Sequence, residues 1–183
     1  RVDAELGRGG FGAVYKAWDI NLERPCAVKE NLSTTTAAQR QFAREATVLA
    51  NLSHPNLPRV TDHFSIPDQG QYLVMDFVDG EDLASMLRKQ KTLPIDRCLG
   101  WMIQIADALV YLHNRQPAVF HRDIKPSNIR ITPEDRAMLV DFGLVKMADP
   151  EMKTTLGARA LTPGYAPPEQ YGMGRTDGRS DIY

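Results

Sequence analysis

The chain has 183 residues, of which 43% are apolar and 25% charged, a balance typical of a globular domain that excludes a disordered tail. The formal net charge of -1 excludes a broad positive field for nucleic acid or an anionic membrane, so any affinity for phosphate must come from a local site. Cys26 and Cys98 form no CxxC pair and no metal-ligand cluster, which predicts two buried apolar side chains in a reducing compartment.

The first third of the chain has the pattern of an antiparallel sheet with one helix. Residues 2–66 are rich in strand patterns, with an alternating run over 14–18 after a glycine turn and a second run over 26–29. The exception is a predicted helix over about 36–52, whose apolar stripe consists of Phe42, Ala46, Leu49 and Leu52. A further strand is predicted over 71–78.

From Asp79-Gly80 onward the pattern becomes mainly helical. Helices are predicted over about 82–90 and 95–114, and the second has Leu99, Met102, Ile103, Leu109 and Val110 at helical spacing, which we interpret as its core face. This apolar stretch is interrupted by Gln104 and Asp107 and is too short to cross a bilayer, and no signal peptide precedes it. We therefore expect no membrane contact in this segment, and a chain that begins without Met inside a strand pattern is expected to be a fragment.

The first motif is glycine-rich and suits a phosphate group. Residues 7–14 match G-x-G-x-x-G-x-V, in which glycines let a backbone approach phosphate oxygens that a Cβ would obstruct. Dinucleotide-binding folds share this spacing but continue into a helix, whereas residues 13–19 continue as a strand. Two interpretations stay open on this motif alone: a lid over a nucleotide, and a glycine-rich hairpin without a ligand.

Lys29 ends an apolar run, where an unpaired ammonium is costly, so it needs an anionic partner. Glu45 lies three residues after Phe42 and four before Leu49, on the predicted buried face of its helix, where a carboxylate is unusual. Glu45 alone would be interpreted as a solvated side chain. The two residues together predict an ion pair that can hold the α and β phosphates of a nucleotide.

Two further blocks contain ionisable side chains that are unsuited to a buried core and suited to catalysis. Residues 121–128 place four ionisable groups and an amide in eight positions: Asp123 can take the proton of an attacking hydroxyl, Lys125 can stabilise charge on a phosphoryl group, and Asn128 offers an oxygen to Mg²⁺. Asp141 follows the apolar run 138–140, which places a second oxygen ligand for Mg²⁺ at a strand end.

These four blocks, in this order, resemble the eukaryotic-type protein kinase family over the whole chain. Lys125 and the sequence of residues 161–165 resemble the serine/threonine branch, and the layout is similar to bacterial members. The resemblance implies an α+β, bilobal fold: an N-terminal lobe of antiparallel sheet with one helix over 1–78, and a mainly helical, truncated C-terminal lobe over 79–183. It implies ATP as phosphoryl donor, Mg²⁺ (or Mn²⁺) as the metal, and a protein serine or threonine as acceptor.

By the same resemblance, each candidate residue has a role. Lys29 pairs with Glu45, Asp123 is the catalytic base assisted by Lys125, Thr162 bridges those two, and Asn128 and Asp141 bind the metal. The hinge is 76–78 with Met75 as gatekeeper, and residues 166–169 close the activation segment. The residues implied to contact the nucleotide are Gly7, Gly9, Gly12, Val14, Ala27, Lys29, Met75, Asp76 and Val78.

The resemblance also implies a mode of regulation, and two positions differ from the family pattern. Arg122 precedes Asp123, which implies activation by phosphorylation at Thr154 or Thr155, with two copies meeting as a homodimer for trans-autophosphorylation. Arg130 stands where the family usually has an apolar floor under adenine, and the usual arginine partner of Glu169 would lie beyond Tyr183. The resemblance further implies a cytoplasmic catalytic domain that binds no nucleic acid.

The alternative of a different class is a pseudokinase-like interaction module. Such modules usually lack the lysine, the catalytic aspartate or the metal aspartate, and this chain has Lys29, Asp123 and Asp141. The sequence therefore favours the enzyme, with activity expected of the parent protein rather than of these 183 residues alone.

Overall fold

The computed structural model describes residues 1–9, 12–32, 35–67, 69–141, 146–147, 162–171 and 176–183, which divide into two compact units, Arg1–Val78 and Asp79–Tyr183. Thr154 and Thr155, the predicted phosphorylation sites, lie outside the described residues. The predicted α+β class is confirmed, because a sheet with one helix is followed by a mainly helical unit.

The first unit is built on a five-stranded antiparallel sheet. Its strands are β1 (Val2–Arg8), β2 (Gly12–Asp19), β3 (Arg24–Asn31), β4 (Val60–Ile66) and β5 (Gly70–Asp76), in the order β1-β2-β3-β5-β4. The prediction that the chain continues as a strand after the glycine turn is therefore confirmed. The predicted last strand ends earlier than expected, at Asp76 rather than at residue 78.

The one helix of the first unit, α1 (Thr36–Ala50), packs against β4 and β5. Thr35 caps its N-terminus, since the Thr35 side chain accepts a hydrogen bond from the Ala38 N–H at 3.3 Å. The predicted stripe is largely confirmed: Ala46, Leu49 and Leu52 are buried, and Phe42 is half-buried with its ring 5.8 Å from that of His63.

The second unit begins with β6 (Glu81–Asp82) and the helix α2 (Leu83–Gln90), for which Asp82 is the N-cap. The long helix α3 (Ile95–His113) follows, and then β7 (Val119–Phe120), β8 (Ile129–Ile131), β9 (Ala137–Leu139) and β10 (Lys146–Met147). The order β6-β8-β9 forms one small sheet and β10-β7 another. Short 3₁₀ turns occupy Pro126–Asn128, Pro168–Tyr171 and Gly178–Asp181.

The predicted core face of α3 is wrong. Leu99, Met102, Ile103 and Val110 are between 42% and 69% exposed, and only Leu109 of the predicted set is buried. The face that packs against β7 and β9 consists instead of Trp101, Ile105, Ala108, Leu109 and Leu112. The helix is apolar on both faces, so its period fits either stripe, and tertiary packing decides between them.

The two cysteines differ in burial. Cys26 is buried as predicted, whereas Cys98 is only half-buried, and both are free thiols. Among the described residues, no helix is both long and apolar enough to cross a membrane.

Candidate active site

Several of the candidate nucleotide-contacting residues of the first unit share one face of the sheet. Lys29 lies opposite Val14 on β2 and opposite Leu73 on β5, and Ala27 lies opposite Met75. Directly opposed residues of an antiparallel pair point to the same face, and so do residues two apart along a strand. The register therefore brings together on one face Gly12, Val14, Ala27, Lys29 and Met75.

The glycines at the turn between β1 and β2 fall into two kinds. A Cβ at Gly12 would lie 2.4 Å from the carbonyl oxygen of Glu30, so β3 itself requires glycine there. A Cβ at Gly7 or at Gly9 would meet no described atom within 4 Å. The space over Gly7 and Gly9 is open, which suits a ligand that approaches the backbone closely.

Lys29 and Glu45 are both half-buried, in β3 and α1 respectively. The Glu45 carboxylate accepts a hydrogen bond from Gln41 Nε2 at 2.9 Å, one helical turn away. The ion pair between Lys29 and Glu45 stays a prediction.

The segment predicted as the hinge is anchored at its start. Asp76 accepts from Arg59 Nε at 3.1 Å and from Arg24 Nη1 at 3.4 Å, and its N–H donates to the carbonyl oxygen of Arg59 at 2.9 Å. These contacts tie the end of β5 to β3 and to the residue before β4. Met75 and Val78, the other residues predicted here, are half-buried.

The second unit holds the carboxylate of Asp123 with three donors. Thr162 Oγ1 donates to Asp123 Oδ1 at 2.8 Å, Asn128 Nδ2 donates to Oδ2 at 2.9 Å, and Lys125 Nζ lies 2.8 Å from Oδ2. Lys125 Nζ also donates to Thr162 Oγ1 at 2.8 Å. The predicted bridge by Thr162 is therefore present, and the carboxylate is fixed in orientation.

The two predicted metal ligands lie on neighbouring backbone segments. The Val140 N–H donates to the carbonyl oxygen of Asn128 at 2.8 Å. This contact places Asp141, the next residue, beside the end of the segment 121–128, which we call the catalytic loop. Because Asn128 Nδ2 donates to Asp123, the Asn128 amide oxygen is the atom it can offer to a cation. One carboxylate and one amide oxygen suit Mg²⁺ when a nucleotide supplies the remaining ligands.

Within the described ranges, no group of three or more His, Cys, Asp and Glu side chains forms a metal site. A metal held by protein alone, such as a structural zinc site with four protein ligands, therefore has no candidate there. The donor set at Asn128 and Asp141 fits a cation that arrives with phosphate.

The residue before Asp123 has an unusual backbone. Arg122 has φ +68°, in the left-handed region that costs a non-glycine residue on the order of 1–3 kcal/mol. Its N–H donates to Asp181 Oδ1 at 2.6 Å, and the His121 N–H donates to Asp181 Oδ2 at 3.0 Å. His113 Nε2 lies 2.8 Å from the same Oδ2. Asp181 thus stabilises a strained loop.

The side chains at the same place are buried. Burial lowers the pKa of the fully buried His121, which favours its neutral form, and burial likewise lowers the pKa of the Arg122 guanidinium. Among the described residues, Arg122 Nε and Nη1 have no hydrogen-bond partner. Two such atoms are able to donate hydrogen bonds to an anion.

Arg130 and Glu169 both have hydrogen-bond partners within the second unit. The Arg130 guanidinium donates to the carbonyl oxygen of Gly80, so its charged head is directed to the backbone that leads into β6. Glu169 accepts a hydrogen bond from Ser180 Oγ at 2.5 Å.

Two polar contacts, one to the backbone of Arg122 and one to the side chain of Asp181, were missed from the sequence. Gln170, 2% exposed, donates from Nε2 to the carbonyl oxygen of Arg122 at 3.1 Å, and His113 contacts Asp181 as described above. The available signals were a glutamine directly after residues 166–169 and a histidine at the end of α3. Neither indicates burial without the fold.

Comparison with known proteins supplies the family. The sequence profile described as "Protein kinase domain" matches residues 1–183. The chain is 38% identical over 97% of its length to the probable serine/threonine-protein kinase SCO3848 of Streptomyces coelicolor, and 37% identical over its full length to the serine/threonine-protein kinase PknE of Mycobacterium tuberculosis. It is also 34% identical over its full length to the serine/threonine-protein kinase pkn2 of Myxococcus xanthus. The chain spans only 27%, 32% and 23% of these relatives, respectively.

Proposed function

This chain belongs to the protein kinase domain family, and on that premise we propose that the whole protein is a kinase that phosphorylates protein serine or threonine with ATP. The main support is the geometry of Asp123, whose carboxylate is fixed by Thr162, Asn128 and Lys125 at 2.8–2.9 Å. A carboxylate fixed by several donors is positioned for one direction of approach.

In the proposed reaction, the substrate hydroxyl oxygen attacks the γ-phosphorus of ATP and the bond to the β-γ bridging oxygen breaks, which releases ADP. Asp123 accepts the proton of the hydroxyl, and Lys125 stabilises negative charge on the moving phosphoryl group. Catalysis of this kind depends on positioning and electrostatics, because the transition state is loose. The coupling of Asp123, Lys125 and Thr162 in one hydrogen-bonded cluster supports these roles.

We assign Asn128 and Asp141 to the metal and prefer Mg²⁺ to Mn²⁺, because one amide and one carboxylate oxygen leave room for the waters that Mg²⁺ retains. The bound cation would neutralise charge on the phosphates. In the first unit, Gly7 and Gly9 are proposed to cover the phosphates. The open space over those two glycines supports this assignment.

Regulation is proposed to act through Arg122. Its buried guanidinium has two nitrogen atoms without partners among the described residues, and a phosphate on Thr154 or Thr155 would supply acceptors. We propose that one copy phosphorylates this segment in another. Full activity of a Thr154→Ala/Thr155→Ala protein would contradict this mechanism.

The catalytic domain is proposed to act in the cytoplasm on protein substrates. Two free thiols, at Cys26 and Cys98, support a reducing compartment. Fractionation of cells that express the full-length protein, followed by alkylation of the denatured protein to count its free thiols, would test this location.

Radiolabelled phosphate transfer tests the proposed function. The full-length protein is incubated with labelled Mg-ATP and a generic basic protein, beside an Asp123→Asn control that keeps the size of the side chain. We expect label on serine or threonine that the control lacks. Binding of Mg-ATP without any transfer would refute the kinase and favour a nucleotide-binding scaffold.

A further inference from the structure

One buried polar side chain of the short turn Pro168–Tyr171 contacts the backbone of the catalytic loop. Gln170 is 2% exposed, and its Nε2 donates to the carbonyl oxygen of Arg122 at 3.1 Å. Glutamine is seldom buried to this degree, and a buried amide needs hydrogen-bond partners. The partner here is the carbonyl of the peptide bond that joins Arg122 to Asp123.

The peptide that Gln170 contacts is a strained one. Arg122 has φ +68°, and its N–H is held by Asp181, so Gln170 and Asp181 together fix both polar backbone groups of this residue. The two side chains come from 48 and 59 positions later in the chain, respectively. A strained backbone persists only where its surroundings determine it.

The loss of the Gln170 contact would act on the direction of Asp123. Without a donor, the buried carbonyl of Arg122 would gain from rotating toward another partner, because a buried acceptor without a hydrogen bond is costly. Rotation of that peptide changes ψ of Arg122 and φ of Asp123. The Asp123 carboxylate would then leave the position in which Thr162 and Lys125 contact it.

Gln170 and Thr162 lie near the two ends of one described segment, 162–171. Thr162 contacts the carboxylate of Asp123, and Gln170 contacts the backbone that leads into it. A single segment therefore contacts both the side chain of Asp123 and the backbone carbonyl of the residue before it, Arg122.

We propose that Gln170 is a positioning residue for phosphoryl transfer: by holding the Arg122 carbonyl it keeps Asp123 aligned with the substrate hydroxyl. This inference rests on the proposed function. It goes beyond that function because no motif of the sequence assigns a role to Gln170.

The test compares Gln170→Met with Gln104→Met in the full-length protein. Gln104 is a matched control, since its Oε1 accepts the Ala137 N–H at 2.9 Å and so joins α3 to β9 away from Asp123. The number of Mg-ATP sites per molecule gives the folded fraction, and kcat and KM are calculated per folded molecule. A purely structural role would change only the folded fraction.

For Gln170→Met we expect kcat per folded molecule to fall about 10- to 100-fold, as for a small misplacement of a catalytic group, with KM for ATP little changed. For Gln104→Met we expect kcat per folded molecule to stay at the wild-type value. Equal kcat in Gln170→Met and wild type would overturn this inference and leave the kinase assignment intact. A wild-type protein without phosphotransfer would overturn both.

Gln170→Glu provides a second variant, of nearly the same size, should the methionine variant fail to fold. The carboxyl group that this substitution introduces can donate to the Arg122 carbonyl when protonated, whereas its ionised form repels that carbonyl, and burial raises the pKa of a carboxyl. We expect the ratio of variant to wild-type kcat to rise as pH falls from about 8 to about 6. A constant ratio over that range would count against positioning by this hydrogen bond.

Discussion

The two kinds of glycine in the first hairpin allow stability and nucleotide binding to be separated. In Gly12→Ala the new Cβ would lie 2.4 Å from the Glu30 carbonyl oxygen, whereas ordinary contact begins near 3.4 Å, so β2 and β3 must separate by about 1 Å. We expect this overpacking to lower the free energy of unfolding by about 1–3 kcal/mol. Gly9→Ala meets no described atom within 4 Å, so its free energy of unfolding should stay close to that of the wild type.

Urea unfolding and ATP titration measure the two effects. Trp18 in β2 reports by fluorescence on the first unit, and the KM for ATP reports on binding. We expect Gly9→Ala to raise that KM about tenfold, which corresponds to about 1.4 kcal/mol, because its methyl group would occupy space meant for phosphate. Wild-type ATP binding by Gly9→Ala would refute the proposed phosphate cover. Wild-type unfolding by Gly12→Ala would refute the steric argument.

Three further predictions concern the second unit. Thr162→Val should lower kcat about 10- to 100-fold through loss of the donor to Asp123, while Thr162→Ser keeps the hydroxyl and should retain most activity, as steady-state kinetics would show. Asp141→Asn should bind Mg²⁺ much more weakly while unfolding like the wild type, and an unchanged Mg²⁺ dependence of kcat would remove Asp141 from the metal site. The hydrogen bond from Arg97 holds the pKa of Asp135 below its usual value, so the stability that this pair adds is present above about pH 4 and is lost as pH falls further. The difference in urea midpoint between wild type and Asp135→Asn should therefore shrink on acidification. A midpoint difference that stays constant with pH would contradict this prediction.

Much of the fold could be predicted from composition and from the spacing of apolar residues. The buried face of α3 is the exception. The alternating strand pattern after the glycine turn predicted β2, and the stripe of Ala46 and Leu49 predicted the buried face of α1, because the apolar residues of α1 are concentrated on one side. The helix α3 is apolar on both sides. Its buried face was therefore predicted wrongly, and only contact with β7 and β9 selects Trp101 and Ile105.

The candidate site divides in the same way. Asp123, Asn128 and Asp141 were predicted because carboxylates and an amide between apolar strands have no structural use at such spacing. Gln170 and His113 were missed, since each is an ordinary polar residue until the fold places it against a partner 48 or 68 positions away, respectively. Local sequence carries no information on such contacts, because they depend on which distant segments meet.

The dependence of the catalytic loop on Asp181 has a consequence for synthesis on the ribosome. The carboxylate that fixes the His121 N–H is encoded 60 residues later, so the loop cannot reach its final shape while the polypeptide is shorter than that. At about 5–20 residues per second, translation of this interval takes about 3 to 12 s, during which the motif exists without the group that orders it. A nascent chain is therefore expected to complete the first unit, Arg1–Val78, well before the loop that contains Asp123 can reach its final shape.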